Sequence, residues 1–259
     1  MLASWRLIRD GAGGAAWNMA VDEALLEAVL AGESPPVLRF YRWAVPAISL
    51  GRFQRADRVL HLALCRHRNV PVVQRLTGGK AVLHGHDLTL CFVAPLRCFS
   101  PAHRVTEVHQ RLVQAVAYGF QQLGIHTRPV AEVDQRALRG AHAGCFEHAL
   151  PGDLTTPEGV KLVGGAQYRR AEVVMEQMSI PVEPLPEVLR GCLHPWREPA
   201  PSPLQGISLH ELMAALARGF ALVFDVEWQP SELRASELAR VQQLAAHYPV
   251  PLSALSSAV

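Results

Sequence analysis

Cys145 is the residue of this chain whose surroundings best suit a nucleophile. It follows Gly144 in a polar stretch, with His142 and His148 three residues away on either side. A thiol in that setting can meet solvent and ionise, whereas a cysteine in an apolar run behaves as a small hydrophobe. Cys65, Cys91, Cys98 and Cys192 read as the second kind. A second candidate is the segment Gln74–Leu90, where Arg75 and Thr77 precede Gly78-Gly79, and Lys80, Ala81, Val82 and His84 follow. Adjacent glycines let a backbone approach a ligand closely and aim N–H groups at a carbonyl, carboxylate or phosphate. The segment is neither a Walker loop nor a GxGxxG turn. Composition alone favours a tight hairpin that merely contains glycines. Lys161 on its own reads as a solvated strand lysine, and His84 as a structural histidine.

The elements that would carry these residues form an α/β (α+β) pattern: a mixed β-sheet core flanked by helices. Asn18 is predicted to cap a helix with an apolar stripe of Val21, Leu25, Leu26, Val29 and Leu30, stopped by Gly32. Val37–Trp43, Ala47–Leu50 and Val70–Val73 read as strands, and Asp57–Arg68 as a helix. Leu88–Ala94 is nearly continuous in apolar side chains, which predicts a strand buried on both faces. Ser100-Pro101 opens a helix running through Val105, Val108, Leu112, Val116 and Phe120 to Gly124. Arg128–Leu150 lacks a period and predicts a long functional loop. Lys161–Val163, and later Val173-Val174 and Met178–Pro181, suggest a hairpin. Prolines crowd Pro181–Pro203, predicting a linker or surface crossover, and helices begin at Ser208 and Ser231. The expected division is a catalytic domain over 1–185, a proline-rich connector over 186–205 and a small helical extension over 206–259.

Bulk composition narrows the class. A net charge of +2 argues against a dedicated nucleic-acid binder, and leaves room for a basic patch that meets an acidic protein. Five cysteines without a CxxC pair argue against a disulfide framework or a zinc knuckle. No apolar stretch approaches the ~20 residues of a membrane span, and Met1–Arg6 does not begin a signal peptide. A cytoplasmic protein without a metal or a membrane partner is expected.

Four ordered stretches carry a resemblance. Arg75–His84 with Asp87-Leu88-Thr89 resembles the signature loop of the lipoate–protein ligase and octanoyltransferase superfamily. Asn18–Ala24 resembles its first helix, Pro35–Tyr41 with Ser49–Gln54 its early strands, and Gly159–Gln167 its lysine strand. Cys145-Phe146 ahead of Lys161 is similar to the cysteine-dependent octanoyltransferases of the Gram-positive type. The resemblance implies a biotin/lipoate protein ligase-like fold. It implies Cys145 and Lys161 as catalytic residues, and substrate binding by Arg75, Thr77, Gly78, Gly79, Lys80, Ala81, Val82, His84, Gly164 and Ala166. Val82 and Leu90 are expected to line an apolar acyl slot, with His84 on its wall or in proton transfer.

The implied reaction attaches an octanoyl or lipoyl group to the lysine of a lipoyl domain, in an E2 subunit or a glycine cleavage H-like protein. The favoured donor is octanoyl-[acyl carrier protein], through a Cys145 thioester and without a cofactor. The alternative is an ATP-dependent ligase that uses ATP and Mg²⁺. An amidotransferase, a cysteine hydrolase and a non-catalytic binding module are further readings. Gln177-Met178-Ser179-Ile180 departs from the family's His-Gly-Ser-Ile.

Overall fold

The computed structural model describes residues 3–130 and 144–254. Its main sheet has six strands in the order β11-β1-β2-β6-β10-β9. These are β1 (Ala3–Gly13), β2 (Val37–Trp43), β6 (Asp87–Pro95), β9 (Gly164–Arg170), β10 (Val173–Pro181) and β11 (Val226–Ser231). β11 and β2 run parallel to β1, and β2, β6, β10 and β9 pair antiparallel. A smaller sheet joins β3 (Ala47–Leu50) to β4 (Val72–Gln74) and β5 (Val82–His84). β7 (Arg128–Pro129) pairs with β8 (Leu154–Thr155).

Period-two alternation explains the two cores. In β2 and β6, Leu38, Phe40, Leu90 and Phe92 face one side, against α4 (Val105–Gln122) and α5 (Leu209–Phe224). Val37, Tyr41, Cys91 and Val93 face the other, against α1 (Ala15–Leu30). A sheet buried on both faces needs apolar residues at consecutive positions, as the Leu88–Ala94 run predicted. A third cluster lies under the small sheet. It takes Leu60 and Cys65 from the segment holding α2 (Ala56–Val59) and α3 (Leu62–His67), and Leu189, Cys192 and Leu193 from the proline-rich stretch.

Several boundaries moved, each for a tertiary reason. Asn18 is not the cap of α1. It lies within the helix, where its amide donates to the carbonyls of Gly13 and Arg42 and accepts from Arg39. The expected helix over 57–68 is broken at Leu60-His61, whose backbone pairs with Leu193 and Cys192. α4 begins at Val105 rather than at Ser100, because Glu107 takes the free N–H groups of His103 and Arg104. Lys161 is not in the hairpin, which starts at Gly164; its backbone bridges Thr155 beside β8. Ser231 ends β11, and the last helix, α6, spans Ala235–Leu244.

Within residues 206–254 lie the helices α5 and α6. The same stretch also supplies the edge strand β11, and Leu212, Leu216 and Phe220 enter the same core as Phe92. α4 and α5 cross at glycines: a Cβ on Gly219 would stand 2.1 Å from the Ala115 carbonyl oxygen.

Candidate active site

Cys145 is half-buried and fixed by its backbone, since its N–H donates to the Ala81 carbonyl at 2.8 Å. Its Sγ lies 3.7 Å from Lys161 Nζ, which in turn is 2.6 Å from Asp153 Oδ2. The Phe146 ring lies 5.8 Å from the same ammonium. Lys161 is therefore not a solvated lysine; its side chain is only 6% exposed. Burial alone would depress its pKa. Cys145 and Asp153 outweigh that burial and raise it above the ordinary value, which keeps the ammonium charged. A cation beside a sulfur stabilises negative charge there. A Cβ on Gly164 would meet the Cys145 sulfur at 2.7 Å, so the sulfur rests on bare backbone. Part of the expected 128–150 loop, His142 included, lies outside the described residues.

The glycine turn is built around Arg75. Arg75 is buried, and all its donors are engaged: Nε with Thr77, Nη1 with Ser49, Nη2 with the carbonyls of Gly78 and Lys80. The turn thus wraps carbonyls around a guanidinium. No carboxylate is among these partners, and burial pushes the Arg75 pKa down to about 10. Thr77 is fully buried and donates to Gln177. The Lys80 side chain keeps a pKa lowered by burial, with Glu147 and Cys145 acting the other way.

Two cavities meet at the sulfur. An inner slot of about 30 Å³ is lined by Met19, Trp43, Val82, His84, Gly164 and Met178 among others. An outer cleft of about 380 Å³ runs past Ala81, Phe146 and Lys161 beneath the proline-rich crossover. Val82 lines the slot as expected, whereas Leu90 does not and is buried in the main core. His84 is on the slot wall, stacked 3.7 Å from Trp43. Both its ring nitrogens are engaged, with Asp87 and with Ser49, each at 2.8 Å. That arrangement suits a wall better than proton transfer.

The sequence reading missed the supports. Asp22 accepts from Arg39, Tyr41 and Gln177, and Gln177 accepts from Thr77, so one of the two residues that depart from the family pattern ties the glycine turn to α1. Asn18 and Asp22, one helical turn apart amid apolar neighbours, were a readable sign of a buried polar network. Asp153 offered none, because its link to Lys161 crosses a loop. His109 of α4 pairs with the buried Glu176 at 2.7 Å under Gly165. Burial would lower the His109 pKa, but the bond and charge of Glu176 raise it.

Comparison with known proteins identifies the family. Residues 14–227 match the lipoyl protein ligase A/B catalytic domain. The octanoyltransferase LipM of Kyrpidia tusciae is 35% identical, over 95% of this chain and 97% of its own. That of Exiguobacterium sp. is 34% identical, over 95% of both chains. Protein Ta0514 of T. acidophilum, solved with bound lipoic acid, superposes with a TM-score of 0.77 at 23% identity, over 94% of this chain and 95% of its own. A bipartite lipoate protein ligase from Thermoplasma acidophilum, studied with its E2 lipoyl domain, gives 0.74 at 22%, over 94% and 92%. The chain belongs to the lipoyl protein ligase A/B catalytic-domain family and stands within it with the octanoyltransferases.

Proposed function

We propose that this octanoyltransferase moves an octanoyl group from a thioester donor to Cys145, and then to the lysine of a lipoyl domain. The observation that carries the reading is the Cys145 sulfur 3.7 Å from a buried ammonium, Lys161, at the meeting of two cavities. The sulfur attacks the donor carbonyl, and the new thioester replaces the old one. The acceptor amine then attacks, an amide forms, and the departing sulfur takes up the amine's proton. A free lysine amine is mostly protonated at neutral pH, its pKa being about 10.4, so the ammonium first releases one proton to solvent, and the second, set free as the amide forms, is the one the sulfur takes. Lys161 stabilises charge on sulfur and on the tetrahedral oxygen, and Asp153 holds it there.

A thioester already carries an activated acyl group, so no nucleotide is needed. The ATP-dependent ligase reading is not favoured: relatives at 34–35% identity are octanoyltransferases, whereas the lipoate ligase enters as a fold neighbour at 22%. The lipoyl-domain acceptor is supported by the pairing of that neighbour with an E2 lipoyl domain, and an acyl carrier protein is the proposed donor. Among the described residues no helix is long and apolar enough to cross a membrane. The test mixes the protein and an apo lipoyl domain with octanoyl carrier protein alone, or with octanoate, ATP and Mg²⁺. Modification in the first mixture supports the reading. Modification confined to the second, and undiminished by Cys145→Ala, overturns it.

A further inference from the structure

His109 of α4 is a half-buried titratable group that the transfer steps leave unused. Its ring lies between the two backbone segments that frame the sulfur and its ion pair. On one side is Gly165, where an added Cβ would stand 2.9 Å from the ring carbon Cε1. On the other is Gly152, where it would stand 3.5 Å from Cδ2. Gly165 follows Gly164, the residue against which the Cys145 sulfur rests, and Gly152 precedes Asp153, the carboxylate that holds Lys161. The ring is thus a spacer between β9 and the loop that carries Asp153. Its orientation is set by Nδ1, 2.7 Å from Glu176 Oε1, while Gln167 donates to the other oxygen of that carboxylate at 3.0 Å.

Three charged groups from the surrounding segments act on this ring: Glu176 of β10, Asp153 from the loop before β8, and Lys161 from the segment after it. β9 contributes the neutral Gln167, and its Arg169 is held by Gln167 and the His103 carbonyl. Burial opposes the charge on His109, but Glu176 outweighs burial and raises the pKa above the ordinary 6.5. At pH 6.5 the ring is therefore mostly an imidazolium. An imidazolium in this place attracts Asp153 and repels the Lys161 ammonium. Lys161 Nζ has Asp153 at 2.6 Å and the Cys145 sulfur at 3.7 Å, so both effects leave more of its charge to the sulfur. We propose that His109 in its charged form is a positioning residue for the transfer, acting through Asp153 and Lys161 to increase the negative charge that the Cys145 sulfur can carry. The inference rests on the transfer reading and adds to it a group whose proton sets the reactivity of the nucleophile.

The test alkylates the full-length protein with iodoacetamide across a range of pH and follows the Cys145 peptide by mass. At about pH 6 the wild type is expected to react on the order of threefold faster than His109→Gln. By about pH 9, where the ring is neutral, that ratio is expected to return to one. A residue that only held the fold would give a ratio independent of pH. Glu176→Gln removes the charge that raises the His109 pKa, so its advantage over His109→Gln is expected to vanish at a lower pH than that of the wild type. If His109→Gln does not fold, the wild type against Glu176→Gln at about pH 7 decides, the wild type reacting faster if the proposal holds. A ratio constant across the range, or Glu176→Gln matching the wild type at every pH, overturns the proposal. Alkylation needs no acyl donor, so this outcome is separate from failure of the transfer reading, which would show as transfer from octanoyl carrier protein undiminished by Cys145→Ala.

Discussion

At the residue scale, Asp153, Lys161 and Cys145 form a line in which each group fixes the next. Cys145→Ser keeps the shape but offers a hydroxyl with no adjacent base. Steady-state transfer is expected to fall by on the order of 10³-fold or more, and a variant within tenfold of wild type would contradict the covalent route. Asp153→Asn strips a buried ammonium of its counter-ion, at a cost of about 3 kcal/mol readable as a lower urea midpoint. Because the Lys161 pKa is raised, its stabilising contribution is complete below the ordinary lysine value of 10.5 and is lost only as pH rises beyond it. No titration of Lys161 therefore contributes to a pH profile near neutrality. Gly164→Ala puts a methyl where the sulfur lies, 2.7 Å away, so activity is expected to drop far more than the thermal midpoint does.

At the scale of elements, β9 carries two such glycines, with the sulfur against Gly164 and His109 of α4 against Gly165. The raised His109 pKa makes its contribution complete below pH 6.5 and lost as pH climbs through the higher folded value. His109→Gln is expected to flatten the dependence of the urea midpoint on pH just above 6.5, and an unchanged slope would refute the assignment. β2 and β6 were legible because each buries both faces and so is apolar at most consecutive positions, with Arg39 of β2 and Asp87 of β6 as buried polar exceptions. β1 and β11 were not. In β1, Arg6 sits among Trp5, Leu7 and Ile8 and is buried only because Glu237, distant in sequence, pairs with it. β11 is an edge strand containing Pro230, a residue that local rules assign to turns. In the site, Cys145 was legible from its polar surroundings and Lys161 only through the family resemblance, whereas Asp153 and His109 depend on contacts between elements that no spacing announces.

Over the whole molecule, the site is held by a sheet whose far edge comes from the C-terminal segment. Ending the chain at residue 205 would remove β11 from β1, α5 from α4 and α6 from α1. Loss of a cooperative unfolding transition is expected, and a folded truncated protein would contradict this architecture. The account as a whole rests on one covalent species. Wild-type protein given octanoyl carrier protein without nucleotide, then digested and analysed by mass, is predicted to carry an octanoyl thioester on the peptide containing Cys145. That thioester is predicted to discharge when apo lipoyl domain is added. Transfer to the lipoyl domain with no acylated Cys145 peptide at any time, or equally fast transfer by Cys145→Ala, would contradict it.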